Sequence, residues 1–173
     1  MSAALAARNV GSLTLAFAAL VGTGALAGVA VIAVPDLGHN LYPHPPRPAL
    51  AGNAGTALEL LAHNAPVALW PLALVALEWH EIPVVRRVGD GLIGAQLAIH
   101  GASVGAALAT WPGLARWLYH LPAEYTAIAL PCAAWIAARR RGAPARGELV
   151  IAAAITLALL ALAALLETWA VPS

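Results

Sequence analysis

Lysine is absent from this chain, cysteine occurs once, and charged residues fill only 10% of its 173 positions. A soluble domain usually carries about a quarter charged residues, so the scarcity of charge excludes an ordinary water-soluble fold. Nine arginines face eight acids, for a net charge of +1, and that balance offers no basic excess to hold nucleic acid. The single cysteine, Cys132, excludes an internal disulfide and any cysteine-based metal site. Set in an apolar run, it reads as a small packing residue. No Ser-His-Asp arrangement, phosphate-cradling glycine loop or nucleotide motif is visible.

What the chain does have is apolar length. Hydrophobic residues make up 61% of it, and the mean hydropathy is +0.80. Crossing about 30 Å of hydrocarbon takes roughly 20 helical residues. Five stretches qualify, near 10–34, 56–78, 89–110, 120–138 and 148–170. The expected fold is all-α: a polytopic bundle of about five transmembrane helices forming one membrane domain over 1–173. The run from Val10 to Val34 exceeds the roughly 7–15 apolar residues of a signal peptide, so it is expected to persist as the first span. Its Gly11, Gly22, Gly24 and Gly28 are small enough for close helix contact, and Gly101 with Gly105 repeats that small-xxx-small spacing in the third span.

Between the first two spans, Pro35, Pro43, Pro45, Pro46 and Pro48 predict a stiff, partly extended loop. His39 and His44 within it lack the number and spacing of metal ligands. The polar stretch Glu78, His80, Glu81, Arg86 and Arg87 reads as a solvated loop on the other side. Pro66 and Pro71 interrupt the second span, and the carbonyls they free must find donors in neighbouring helices or water. Trp111, Trp117 and Tyr119 suit a membrane–water interface.

Arginine placement sets the expected orientation, because basic residues collect in short cytoplasmic loops. With the N-terminus cytoplasmic, Arg8, Arg86, Arg87, Arg139, Arg140, Arg141 and Arg146 lie inside, against Arg47 and Arg116 outside.

Three carboxylates and three histidines then share one layer. His120 and Glu124 are four apart at the head of the fourth span, on one helical face. Glu59 and His63 repeat that spacing near the start of the second. Gln96, His100 and Ser103 form one polar stripe in the third, and Glu167 lies near the end of the fifth. Each would be costly facing lipid, so a shared pocket in the outer half of the bilayer is expected. Its alternatives are plain ones: a helix-start pair at His120 and Glu124, and a hydrogen-bonded core histidine at His100. The pocket suits acid/base chemistry, a proton or substrate path, or a buried network that only fixes packing. Histidines with a carboxylate are also zinc ligands in kind, but no HExxH-like pairing is present, and neither metal nor cofactor is expected.

Three segments resemble the stage II sporulation protein M family, small multi-span proteins formerly grouped as a domain of unknown function. They are His63-Asn64; Leu118-Tyr119-His120-Leu121-Pro122-Ala123-Glu124 with Ala127-Ile128 behind it; and Ala164-Leu165-Leu166-Glu167-Thr168-Trp169-Ala170-Val171-Pro172. The His-to-Glu spacing of the family is kept, while Leu121 replaces its glycine and His63 its first asparagine. The resemblance covers roughly 56–173. It implies either a part in a peptidoglycan-remodelling complex or a membrane step in the maturation, export or immunity of ribosomally made peptides.

An Ala- and Arg-rich, lysine-free chain suggests a high-GC bacterium, and hence the bacterial inner membrane. The first functional expectation is peptide maturation or export alongside a second membrane subunit, with epimerisation at peptide α-carbons as the chemistry if the protein is an enzyme. His120 or Glu124 would serve as base, and Glu59, His63, His100 and Glu167 as acid or orienting groups. The second is a non-enzymatic scaffold or transporter subunit.

Overall fold

The computed structural model describes residues 3–44, 53–142 and 144–169. Among them there is no strand, and the helices are α1 (Ala3–Ala33), α2 (Pro35–Leu41), α3 (Ala54–Ala76), α4 (Pro83–Thr110), α5 (Leu121–Arg141) and α6 (Arg146–Trp169). Short 3₁₀ turns at Trp79–Glu81 and Pro112–Trp117 flank α4. All but α2 are long and apolar enough to cross a membrane. In hydrocarbon a backbone must satisfy its own polar groups, and helices do so within one segment. The chain is a multi-pass membrane protein.

Local chemistry places the helix ends. Asn53 caps α3 by accepting a 2.8 Å bond from Gly55 N–H, one of the donors a helix start leaves unpaired. Pro83 opens α4, where its missing N–H has no role to fill. Gly142 ends α5 at φ 90°, donating its N–H to Ala138 at 2.9 Å, a left-handed stop that suits glycine. Glu148 accepts from Ala145 N–H at 3.2 Å ahead of α6.

α5 is the hub. Half of its span is buried, against 17–28% in the other four, and it packs on α1, α3 and α6. Ala16, Leu20, Leu72, Val75, Leu97, Ile128, Cys132 and Trp135 form the main core around it. Cys132 is fully buried there. α4 lies against α1 through facing glycines: a Cβ at Gly24 would come within 2.9 Å of the Gly101 carbonyl, and one at Gly105 would strike the Gly24 backbone. Gly11 and Gly22 face open space and take no part.

Three expectations are corrected. The segment after the first span is not simply extended, since Pro35–Leu41 is helical; a proline at a first turn starts a helix as readily as it blocks one. Pro45, Pro46, Arg47 and Pro48 lie outside the described residues, as do Ala170, Val171 and Pro172. The third span begins six residues before 89 because a helix continues past the hydrocarbon edge through Arg86 and Arg87. The polar stretch is exposed at Glu78, Glu81, Arg86 and Arg87 as expected, but it is not a plain loop: it is helical from Pro83 on, and His80 is buried.

Candidate functional site

The site lies at the end of the bundle where α4 gives way to α5. His120 is the N-cap residue of α5, and its carbonyl accepts from the N–H groups of Ala123 and Glu124, both at 3.0 Å. Pro122 in the first turn keeps this start well defined. One turn on, Glu124 brings its Oε2 to 3.7 Å from His120 Nε2, with both side chains largely withdrawn from solvent. That distance is too long for a tight hydrogen bond. His120 Nδ1 is buried without a partner.

α4 supplies His100, half-buried, with Nδ1 2.9 Å from the Gln96 carbonyl. A carbonyl only accepts, so Nδ1 carries the proton and Nε2 of the neutral ring keeps the basic lone pair. Gln96 is itself fixed: its Oε1 accepts from Trp70 Nε1 at 2.7 Å and its Nε2 donates to the Val67 carbonyl at 2.9 Å. Val67 is the residue four before Pro71, whose carbonyl a proline leaves without its helical donor. Gln96 therefore fills the gap that Pro71 opens and, in doing so, ties α4 to α3. α6 supplies Glu167, half-buried near its end. The Glu124 carboxylate sits within electrostatic reach of His120, Glu167 and His100.

Of the six expected site residues, the fold pairs His120 with Glu124 and leaves His100 and Glu167 within electrostatic range of that carboxylate. Glu59 and His63 stay on an exposed face of α3. Ser103, in the same stripe as His100, is exposed, and its carbonyl accepts from Tyr42 Oη at 3.1 Å. Trp111 Nε1 donates to the Tyr42 carbonyl at 3.3 Å, and its ring stands edge-on to His39 with centroids 5.4 Å apart. Together these contacts strap α2 over the end of α4. Among the described residues, no three His, Cys, Asp or Glu side chains group closely enough to hold a metal ion.

A second polar cluster, not anticipated from the sequence, occupies the opposite end. Asp90 accepts from Trp135 Nε1 at 2.9 Å and pairs with Arg139. The Trp135 ring presses on Gly89, where a Cβ would come within 2.5 Å of it. His80 stands edge-on to Trp135, centroids 6.4 Å apart, with both ring nitrogens buried and unpartnered. One signal was available: Asp90 falls at the start of one span at the same level as Arg139 at the end of another.

Comparison with protein-family models, curated proteins and solved structures returns no match.

Proposed function

We propose that this protein handles protons at the His100, His120, Glu124 and Glu167 cluster, and that its substrate is a ribosomally made peptide matured or exported at a bacterial inner membrane with a second membrane subunit. The observation that carries the proton-handling reading is the incomplete pairing of the cluster. His120 Nδ1 is buried without a partner while Nε2 of the same ring lies 3.7 Å from the Glu124 carboxylate, so the imidazole has one nitrogen beside a carboxylate and the other uncommitted. The peptide and the partner rest on the resemblance set out above.

The chemistry best suited to these groups is inversion at a peptide α-carbon. A base takes the α-proton, charge moves onto the neighbouring carbonyl, and an acid returns a proton to the opposite face, so no electron carrier is needed. Glu124 or His120 acts as the base. His100, whose Nδ1 is committed to Gln96, presents Nε2 as the second proton carrier, and Glu167 orients or balances charge. Glu59 and His63 stand apart from this cluster and have no part in the step.

The test is chiral amino-acid analysis of a candidate peptide co-expressed with the wild-type chain, His120→Ala or Glu124→Gln. Loss of a positioned acid or base costs about 10²- to 10⁴-fold, so D-residues should vanish in variants whose membrane level is unchanged. Equal product from all three chains would remove the catalytic reading. A non-enzymatic scaffold would instead show itself as failed assembly with the partner subunit.

A further inference from the structure

Where α4 meets α5 at the arginine-rich end, positive charge exceeds what the local carboxylate takes up. Asp90 pairs with Arg139 of α5 and lies within electrostatic reach of Arg86, one turn before it on α4. Two guanidinium groups from two helices share one carboxylate, and one positive charge is left over. Asp90 accepts from Trp135 Nε1 at 2.9 Å, and Trp135 is buried, so the packed core fixes where these charges meet. Arg87 and Arg140, the chain neighbours of Arg86 and Arg139, are exposed and add to the excess. The excess stands at the membrane boundary. Trp79, Ile82 and Val84 precede Arg86 and are exposed, and a tryptophan exposed beside a span suits the headgroup layer. Past Asp90, toward the middle of α4, Val88 and Leu92 are exposed, and a Cβ at Gly91 or Gly94 would meet nothing within 4 Å. The surface beneath the charges is therefore apolar and leaves room for an acyl chain.

We infer that Arg86 and Arg139 bind the phosphate of an anionic phospholipid in the leaflet at this end, with its acyl chains along α4. The planar fork of an arginine matches two phosphate oxygens, and basic residues beside a span attract anionic headgroups. A phosphodiester whose headgroup carries no cation supplies the negative charge that Asp90 alone does not. Phosphatidylcholine brings a cation of its own, which the arginines repel. A free anion would gain the charge contact but none of the apolar contact beneath it. This inference rests on charge and depth at the end of the bundle away from the proton-handling cluster, so it stands whether or not that chemistry is right.

Photo-cross-linking of the purified chain in phosphatidylcholine liposomes tests it. The probes are trace amounts of diazirine-tailed phosphatidylglycerol or diazirine-tailed phosphatidylcholine, read by mass spectrometry of the adducts. The wild-type chain should capture the phosphatidylglycerol about tenfold better, on peptides of α4. Arg86→Gln leaves the Asp90–Arg139 pair in place and should lower that capture about fivefold. Asp90→Asn keeps an acceptor for Trp135 but removes the competing negative charge, so capture should rise about fivefold. Arg146→Gln on α6, which packs on α3 and α5, should change it by less than about twofold. Equal capture of the two lipids by the wild-type chain would overturn the inference, and that comparison holds even where a variant fails to insert. Equal losses from Arg86→Gln and Arg146→Gln would also overturn it, since they would show a diffuse field in place of a site. Inorganic phosphate should displace no more lipid than chloride of equal ionic strength; greater displacement would assign the arginines to a free anion and refute the lipid.

Discussion

Gln96 shows how one side chain can serve fold and site together. Its amide donates to the Val67 carbonyl that Pro71 leaves open, its oxygen takes the Trp70 N–H, and its own backbone carbonyl orients His100. Removing it leaves the Val67 carbonyl and the Trp70 N–H without their partners at the α3–α4 contact. A buried polar group left unpaired costs about 1–3 kcal/mol, so Gln96→Leu should lower stability by about 2 kcal/mol in a reversible unfolding titration in micelles. The coupling is the sharper measurement. Pro71→Ala restores an N–H for Val67, so the cost of Gln96→Leu should shrink by about 1 kcal/mol in that background. A cost unchanged by Pro71→Ala would mean that the proline-freed carbonyl is not what Gln96 answers. The demand was legible in advance, because a proline inside a membrane helix always leaves a carbonyl open. Which residue answers it was not, since Gln96 and Val67 are 29 positions apart and only packing joins them.

Among the helices, the closest approach is that of α1 and α4. Added bulk at Gly101 would meet the Leu20 carbonyl and Thr23 Oγ1, and at Gly105 the Gly24 backbone. Backbone cannot rotate aside as a side chain can, so a single methyl group forces the helices apart. Overpacking typically costs about 1–3 kcal/mol. Gly105→Ala should fall in that range by unfolding midpoint, while Gly22→Ala and Gly91→Ala, which meet nothing within 4 Å, should be neutral or slightly stabilising because alanine favours helix over glycine. Destabilisation by Gly22→Ala as large as by Gly105→Ala would contradict this packing. Small-residue spacing marked Gly24, Gly28, Gly101 and Gly105 as candidates, yet Gly11 and Gly22 carried the same mark and are idle. Spacing along a helix states what is able to pack; the partner's facing side decides what does. For the same reason hydropathy found five spans but began the third late. It registers the hydrocarbon crossing, and α4 extends beyond it through arginines that suit the interface.

At the scale of the whole molecule the two ends of the bundle differ in chemistry. One end gathers His100, His120, Glu124 and Glu167, four of the six residues whose layer could be read from span order alone. The exposure of Glu59 and His63 could not be read that way, since span order sets depth but not which way a helix face turns. The other end holds Arg86, Arg87, Arg139, Arg140, Arg141 and Arg146, with Asp90 taking up Arg139. That ion pair is largely open to solvent and contributes at most about 1 kcal/mol, so these arginines matter more for orientation than for stability. Basic residues flanking spans are retained on the cytoplasmic side, and an even number of crossings returns each connection to its own side. The α5–α6 connection is therefore expected inside and the α4–α5 connection outside. Ala145 and Gly113 are exposed markers in these two connections, and the native Cys132 is fully buried. In intact spheroplasts a membrane-impermeant maleimide should label Gly113→Cys and spare Ala145→Cys until the membrane is opened. The opposite pattern would turn the His/Glu cluster toward the cytoplasm. On the function proposed above, a peptide substrate would then be met before export rather than during it, and the arginine-rich end would face a compartment in which the retention of positive charge offers no reason for its place.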